Sequence, residues 1–181
     1  MKLFREADEA SFARNYGKTL VQTVVMWSIF LLIGPALIAG IERELDLPRF
    51  AGSPVIGLLV FVAGGSLGLR SGYVMARVGE GTPLPMDTAR NLVVAGPYRR
   101  LRNPMAVAGT IQSLGIGVVF GSPLVLAATI FSATLWNKIV RPAEEADMLV
   151  RFGQRFADYR DNVPCWLPRR SSYIVDALEK E

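Results

Sequence analysis

Three long stretches without a charged side chain constrain the fold of this chain most. They contain 23 residues at 19–41, 20 at 50–69 and 35 at 103–137. A helix needs about 20 apolar residues to cross the hydrocarbon core of a bilayer. Because 51% of the 181 residues are also hydrophobic, the sequence excludes a soluble globular enzyme and a disordered chain. It predicts an all-α, multi-pass integral membrane protein.

The order of apolar and polar segments predicts one domain with about four transmembrane helices. Its parts are an interfacial head at 1–17, spans one and two within 18–76, a loop at 77–103, a helical hairpin at 104–140, and a helix and tail at 141–181. Gly121-Ser122-Pro123 divides the last apolar stretch into halves of about 17 residues, the lower limit for crossing. A hairpin that crosses fully and one that re-enters on the same side both fit this length.

An amphipathic helix is expected after the hairpin, over about 143–160. Leu149, Phe152, Phe156 and Tyr159 follow one another at spacings of three, four and three, which is the spacing of one helix face. Pro142 suits the first position of such a helix, because a proline there gives up no hydrogen bond.

The distribution of basic residues predicts the orientation. Of the 20 Lys and Arg residues, 17 lie in the head, the 77–103 loop and the segment from Lys138 onward, and two lie in the loop after span one. Basic residues concentrate on the cytoplasmic side of membrane proteins. Both termini are therefore expected in the cytoplasm, and the expected location is a bacterial inner membrane.

The chain lacks several residues that common chemistry requires. It has no histidine and one cysteine, Cys165, which excludes serine-histidine hydrolysis, histidine zinc sites and intrachain disulfides. No phosphate-binding glycine loop is present. We expect no metal and no nucleic-acid partner; the sequence leaves the oligomeric state open.

Two cytoplasmic segments carry recognisable motifs. LVVAGPYRRLRNPM, an apolar hairpin and RPAEEADMLVRFGQRFADYRDNVPCWLP follow in this order. The combination resembles the isoprenylcysteine carboxyl methyltransferase-like and phospholipid methyltransferase family of integral-membrane, S-adenosylmethionine-dependent enzymes. The resemblance covers roughly residues 55–168 and is strongest from 92. It implies methyl transfer from S-adenosylmethionine to a lipophilic small molecule or lipid at the cytoplasmic membrane face.

The resemblance also implies site residues. Those expected at the cofactor are Leu92, Val93, Gly96, Pro97, Tyr98, Arg102, Asn103, Pro104, Met105, Arg141, Glu144 and Glu145. Arg102, Asn103 and Glu145 are the candidate catalytic residues. Chemistry agrees with this set, because the ligand offers a carboxylate to Arg102 or Arg141, an amine or hydroxyls to the two glutamates, and adenine to an apolar slot.

Departures from the family pattern leave the acceptor open. Asn103 stands where a histidine is usual and Ala106 where a tyrosine is usual. A carboxylate, an amine and a thiol are all compatible. Ala106 and Arg70 are the candidate substrate residues. A small residue at 106 widens the cavity. Arg70 is the one charged residue within span two; the alternative interpretation is that its side chain only extends to the membrane interface.

Structural roles remain open for several of these residues. Asn103-Pro104 is also a natural helix start, and Glu144 and Glu145 also suit a helix N-terminus. Two other functions are possible, a non-catalytic scaffold that keeps the fold and a small transporter. The second requires polar residues in the middle of several spans, and Arg70 alone comes near that.

Overall fold

The computed structural model of the protein describes residues 7–82 and 87–174. The first six residues of the predicted head and the last seven of the tail lie outside the described residues. Within those ranges the protein is helical and forms no β-strand, apart from an isolated bridge between Thr82 and Thr88. In the described part of the chain, three helices are long and apolar enough to cross a membrane, and a shorter apolar helix accompanies them.

Span one is a single helical rod. It consists of α1 (Phe12–Trp27), a π-helical turn (Ser28–Ile33) and α2 (Gly34–Glu44). Pro35 has no N–H to donate within the helix, and the wider turn before it accommodates this loss. The predicted head is not separate over its described part, because the helix begins at Phe12, capped by the Ser11 side chain, and runs directly into the span.

Span two packs against the first helix of the hairpin through glycines. α3 (Pro54–Val74) continues as a π-helical turn (Met75–Gly79), and α4 (Pro104–Phe120) runs antiparallel to it. A Cβ on Gly57 would lie 2.5 Å from the carbonyl oxygen of Gly115, and one on Gly115 would lie 2.7 Å from that of Gly57. The two backbones can approach this closely only because both positions lack a side chain.

The hairpin turn lies at the same end of the bundle as the loop after span one. Gly121 ends α4 with φ +60, and its carbonyl accepts the Phe50 N–H at 3.2 Å. The buried Glu42 carboxylate accepts the Leu124 N–H at 2.7 Å, at the start of α5 (Pro123–Leu135). The hairpin therefore reaches as deep as α3, and its turn is fixed to both neighbouring spans.

The segment predicted as one helix over 143–160 forms two helices. The first of them does not begin at Pro142, because it continues the helix before it. α5 continues through a π-helical turn (Trp136–Val140) into α6 (Arg141–Phe152), and α7 (Gln154–Asn162) follows. The wide turn accommodates Pro142, as the turn in span one accommodates Pro35. Gly153, at φ +56, ends α6 and redirects the chain.

The polar segments form a cap over one end of the bundle, which we define as residues 87–103 and 141–174. Phe156, Tyr159 and Val163 are its buried core. The Tyr159 hydroxyl donates to the Tyr98 carbonyl at 2.7 Å, and the Arg102 N–H donates to the Pro164 carbonyl at 2.9 Å. These bonds join the loop before α4 to the segment after α7, so the two motif-bearing segments lie together.

Candidate active site

A cavity of about 670 Å³ lies where the cap meets the spans. This volume is typical of small-molecule and cofactor sites. Its wall comes chiefly from span one, the part of the cap at 87–103, which we call the cap loop, the helices α4, α5, α6 and α7, and the segment after α7. The cavity has a polar part under the cap and a part that continues between the spans, which we call the groove.

The polar part contains two arginines that share one carboxylate. Glu145 Oε1 lies 3.3 Å from Arg102 Nη2 and 3.8 Å from Arg141 Nε. Glu145 and Arg141 are one helical turn apart on α6, whereas Arg102 comes from the loop before α4. Arg102 Nη1 also donates to the Arg160 carbonyl at 2.7 Å. This arginine therefore links three parts of the cap.

Both arginines keep hydrogen-bonding capacity. The Nε atoms of Arg102 and Arg141 are buried and have no hydrogen-bond partner within the described part of the chain. A buried, unpaired donor of this kind is costly unless a ligand accepts from it. Since both side chains line the cavity, they suit an anionic group such as a carboxylate.

Glu144 has surroundings different from those of its neighbour. It lines the cavity, and in the ranges that the structure describes it forms no ion pair. Burial, and secondly the charge of Glu145, raise its pKa from the ordinary 4.5 to about 7. Glu144 can therefore accept or release a proton near neutral pH.

The two phenols and the thiol at this end of the cavity stay protonated. Burial raises the pKa of Tyr98 and Tyr159 above the usual range of a phenol. Burial also raises the pKa of the Cys165 thiol, although the charge of nearby Arg102 opposes it. Glu144 is thus the better proton acceptor of this group.

A second set of polar contacts closes the cavity on the side of the cap loop. Arg151 on α6 donates to the Thr88 hydroxyl at 3.0 Å and to the Ala89 carbonyl, and Asp147 lies 3.5 Å from Arg151. Lys18 of span one forms an ion pair with Asp87 at 3.0 Å. The loop at 87–89 is consequently held between α6 and span one.

The structure brings most of the expected site residues to the cavity. The expected residues that line it are Val93, Tyr98, Arg102, Asn103, Met105, Ala106, Arg141, Glu144 and Glu145. Asn103 is also the cap of α4, because its side-chain oxygen accepts the Ala106 N–H at 3.1 Å. Asn103 therefore begins α4 and lines the cavity, and its role in the reaction stays a prediction.

Five expected residues do not line it. Leu92 packs in the core of the cap, Pro104 is buried at the start of α4, and Gly96 and Pro97 begin the short 3₁₀ helix Gly96–Arg99. Arg70 is exposed on α3, away from the cavity wall. The structure therefore gives the first four a place in the frame around the site.

The sequence analysis missed several lining residues. They are chiefly Asp147, Met148 and Arg151 of α6, Cys165 and Trp166 after α7, and Gln22, Thr23 and Met26 of span one. Met148 and Arg151 could have been found, because they lie on the same helix face as Arg141, Glu144 and Glu145. No comparable signal marks those of span one or Cys165.

The fold and the site define an integral membrane protein in which a cap closes a ligand-sized cavity of mixed charge. The sequence model of the phospholipid methyltransferase family matches residues 53–155. This is more than half of the chain, which belongs to this family of membrane methyltransferases. The resemblance seen in the motifs is confirmed.

One solved structure supports the fold. It is that of a eukaryotic intramembrane Ras methyltransferase, isoprenylcysteine carboxyl methyltransferase, at 21% identity and a TM-score of 0.56. The likeness covers 82% of this chain, which spans about half (54%) of the length of that protein. No curated protein matches the chain. The predicted all-helical membrane fold is confirmed; the roles of individual site residues stay predictions.

Proposed function

We propose that the protein transfers the methyl group of S-adenosylmethionine to an amine head group of a lipophilic acceptor. The observation that carries the proposal is that two adjacent carboxylates, Glu144 and Glu145, line one cavity in different electrostatic surroundings. Glu145 pairs with two arginines whose Nε atoms have no hydrogen-bond partner among the described residues. Glu144 forms no ion pair with those residues, and its pKa is raised. The first arrangement suits a zwitterionic cofactor, and the second suits removal of a proton.

The residues present fit the cofactor. Arg102 and Arg141 would hold its carboxylate, and Glu145 would accept from its amine. Val93, Tyr98 and Met105 offer the apolar wall for adenine; of these, Val93 and Tyr98 are buried. When bound, S-adenosylmethionine supplies a methyl group on a positively charged sulfur, open to displacement by a nucleophile.

An amine acceptor requires a proton acceptor, because an ammonium nitrogen has no free electron pair. Glu144 would take this proton, since it is ionised above a pH of about 7. The Tyr98 hydroxyl and the Cys165 thiol would not, because burial keeps them protonated. A carboxylate acceptor needs no base. Whether methyl transfer depends on Glu144 therefore distinguishes an amine acceptor from a carboxylate acceptor.

The acceptor would enter sideways from the bilayer. α2 packs against α5, but in the described part of the chain α1 has no packing of that extent with α5. We infer that span one and α5 separate towards the cap, where Thr23 and Met26 of span one and Trp136 after α5 all line the cavity. We also propose, from the excess of basic residues, that the cap lies in the cytoplasm.

Two conservative variants separate cofactor binding from catalysis. Glu145→Gln is expected to weaken S-adenosylmethionine binding by about 1.5–3 kcal/mol, the range for a hydrogen bond to a charged group. Glu144→Gln is expected to keep that affinity and to lose methyl transfer to amines. The measurements are calorimetric titration in detergent, and transfer from labelled cofactor into lipid extract of the expression host.

The outcomes are distinct. Unchanged affinity in Glu145→Gln protein that is still folded at the temperature of the titration would remove this residue from the cofactor site. Product in which a carboxylate is methylated, formed equally well by Glu144→Gln protein, would overturn the amine acceptor and leave the transferase. Absence of both binding and transfer in the wild-type protein would favour the scaffold.

A further inference from the structure

The groove continues the polar part of the cavity into the membrane, between span one and the hairpin. Ala128 and Ala133 of α5, Gly109 of α4 and Gly34 of α2 give it room, because their side chains are small or absent. One cavity therefore joins the charged residues under the cap to a narrow space at the depth of the hydrocarbon core.

Three hydroxyl groups of the hairpin that line the groove are already paired within its wall. The Thr129 hydroxyl donates to the Val125 carbonyl at 2.8 Å and lies 2.6 Å from the Ser113 hydroxyl. The Thr110 hydroxyl donates to the Ala106 carbonyl at 2.8 Å. Because these hydroxyls are paired within the wall, an apolar chain can lie against them without leaving a buried donor unsatisfied.

The depth of the groove matches one leaflet. On α5 it extends from Trp136 to Val125, eleven residues or about 16 Å at 1.5 Å per residue. The hydrocarbon core of a bilayer is about 30 Å thick, so each leaflet contributes about 15 Å. A lipid whose head group lies under the cap could place one whole chain in the groove.

The groove is closed at its far end. Val125, two residues after the start of α5, is 1% exposed. α2 packs against α5, and the hydrogen bond from the Leu124 N–H to Glu42 places α2 beside this floor. Ala128 stands about 4.5 Å above this floor, roughly a quarter of the way to the mouth at Trp136, and Ala133 stands about 4.5 Å below the mouth.

We infer that the groove holds one hydrocarbon chain of the acceptor, and that the floor at Val125 together with Ala128 limits its length. The inference rests on the proposed function for the identity of the chain as the acceptor's. Selection by chain length follows from the closed floor. Each methylene group that the groove accommodates adds buried apolar surface and so favours binding. A methylene group beyond the floor would clash with Val125, so longer chains should bind less well.

Two adjacent alanines provide a matched pair of variants. Ala128 lines the groove, whereas Ala127 is exposed on the outer side of the same helix. Ala128→Phe should shorten the groove, and Ala127→Phe should not. Ala133→Phe, about 7.5 Å nearer the cap, should shorten it further and serves if Ala128→Phe does not fold.

The probes are n-alkylamines from octyl to hexadecyl with a diazirine at the chain end, added to purified protein in detergent. For the longest chain that fits, photo-crosslinks are expected on Leu31, Ile38 or Val125. In Ala128→Phe protein, binding of the longest chains should fall about tenfold, the equivalent of roughly two methylenes no longer buried. Octylamine binding should not change.

Each outcome decides a separate question. Equal effects of Ala127→Phe and Ala128→Phe, or crosslinks spread over the outer faces of the spans, would overturn the groove assignment. Crosslinks at the floor without methyl transfer to any amine would overturn the proposed function and keep the groove as a chain site. Methyl transfer with unchanged chain-length preference in all variants would keep the function and refute the length limit.

Discussion

Burial of the Glu144 carboxyl is expected to make the folded protein less stable at and above neutral pH. Replacing Glu144 by glutamine should therefore raise the unfolding temperature in that pH range. Its pKa rises from 4.5 to about 7, first because it is buried and then because Glu145 is charged. Between these two pH values the folded protein holds a proton that the unfolded chain has released. Stability therefore falls as the pH rises from about 4.5 to 7. Glu144→Gln, neutral at every pH, removes this loss.

The size of the effect follows from the shift. A difference of 2.5 pKa units, from 4.5 to about 7, corresponds to at most about 3 kcal/mol at 1.36 kcal/mol per unit. For a chain of this size, that is a rise in Tm of about 6–12 °C at pH 8. Near pH 4 the variant and the wild-type protein should unfold at the same temperature.

Thermal unfolding in detergent at several pH values measures this difference. Glu145→Gln is the control, because it removes the partner of Arg102 and Arg141 and should lower Tm at pH 8. A Tm difference between Glu144→Gln and wild type that stays constant from pH 4 to 8 would refute the reasoning. It would mean that the Glu144 carboxyl is solvated like an ordinary surface group.

Two further predictions concern the helices and the orientation. Gly57→Ala should destabilise the bundle by about 1–3 kcal/mol, because the added methyl group overpacks against the α4 backbone. Gly40→Ala is the control and should not destabilise it, because there is open space around its Cβ position. Equal Tm values of the two variants in thermal unfolding would contradict the close packing. In a Cys165→Ala background, Leu45→Cys should react with an impermeant thiol reagent from outside the cell and Ser171→Cys should not; labelling of the second alone would reverse the orientation.

The membrane fold was predictable because length and charge decide it. A stretch of 20 or more residues without charge has few stable alternatives to a spanning helix, and Gly121 supplied the positive φ at which the hairpin turns. The course of the chain at Pro142 was not predictable. A proline predicts the start of a helix when its missing N–H costs nothing, but here a π-helical turn keeps the helix continuous across it.

The site residues that lie on one helix were predictable from the sequence. Those that come together from several elements were not. Arg141 and Glu145 are one turn apart, so their contact follows from spacing alone. Val93 and Leu92 are neighbours in an irregular loop, and only the packing of the cap decides that Val93 lines the cavity and Leu92 the core. Span one contributes Thr23 and Met26 without any motif, because a wall needs only the right size and polarity.

Ala106 connects the two parts of the proposed site. In the sequence it is a departure from the family pattern, which usually has a tyrosine at this position. In the structure it lines the cavity in the first turn of α4, between Asn103 under the cap and Gly109 in the groove. A tyrosine here would fill the passage that joins them, whereas the methyl group leaves it open. If one chain of the acceptor occupies the groove while its head group lies beside Glu144, a small residue at 106 is what the proposed arrangement requires.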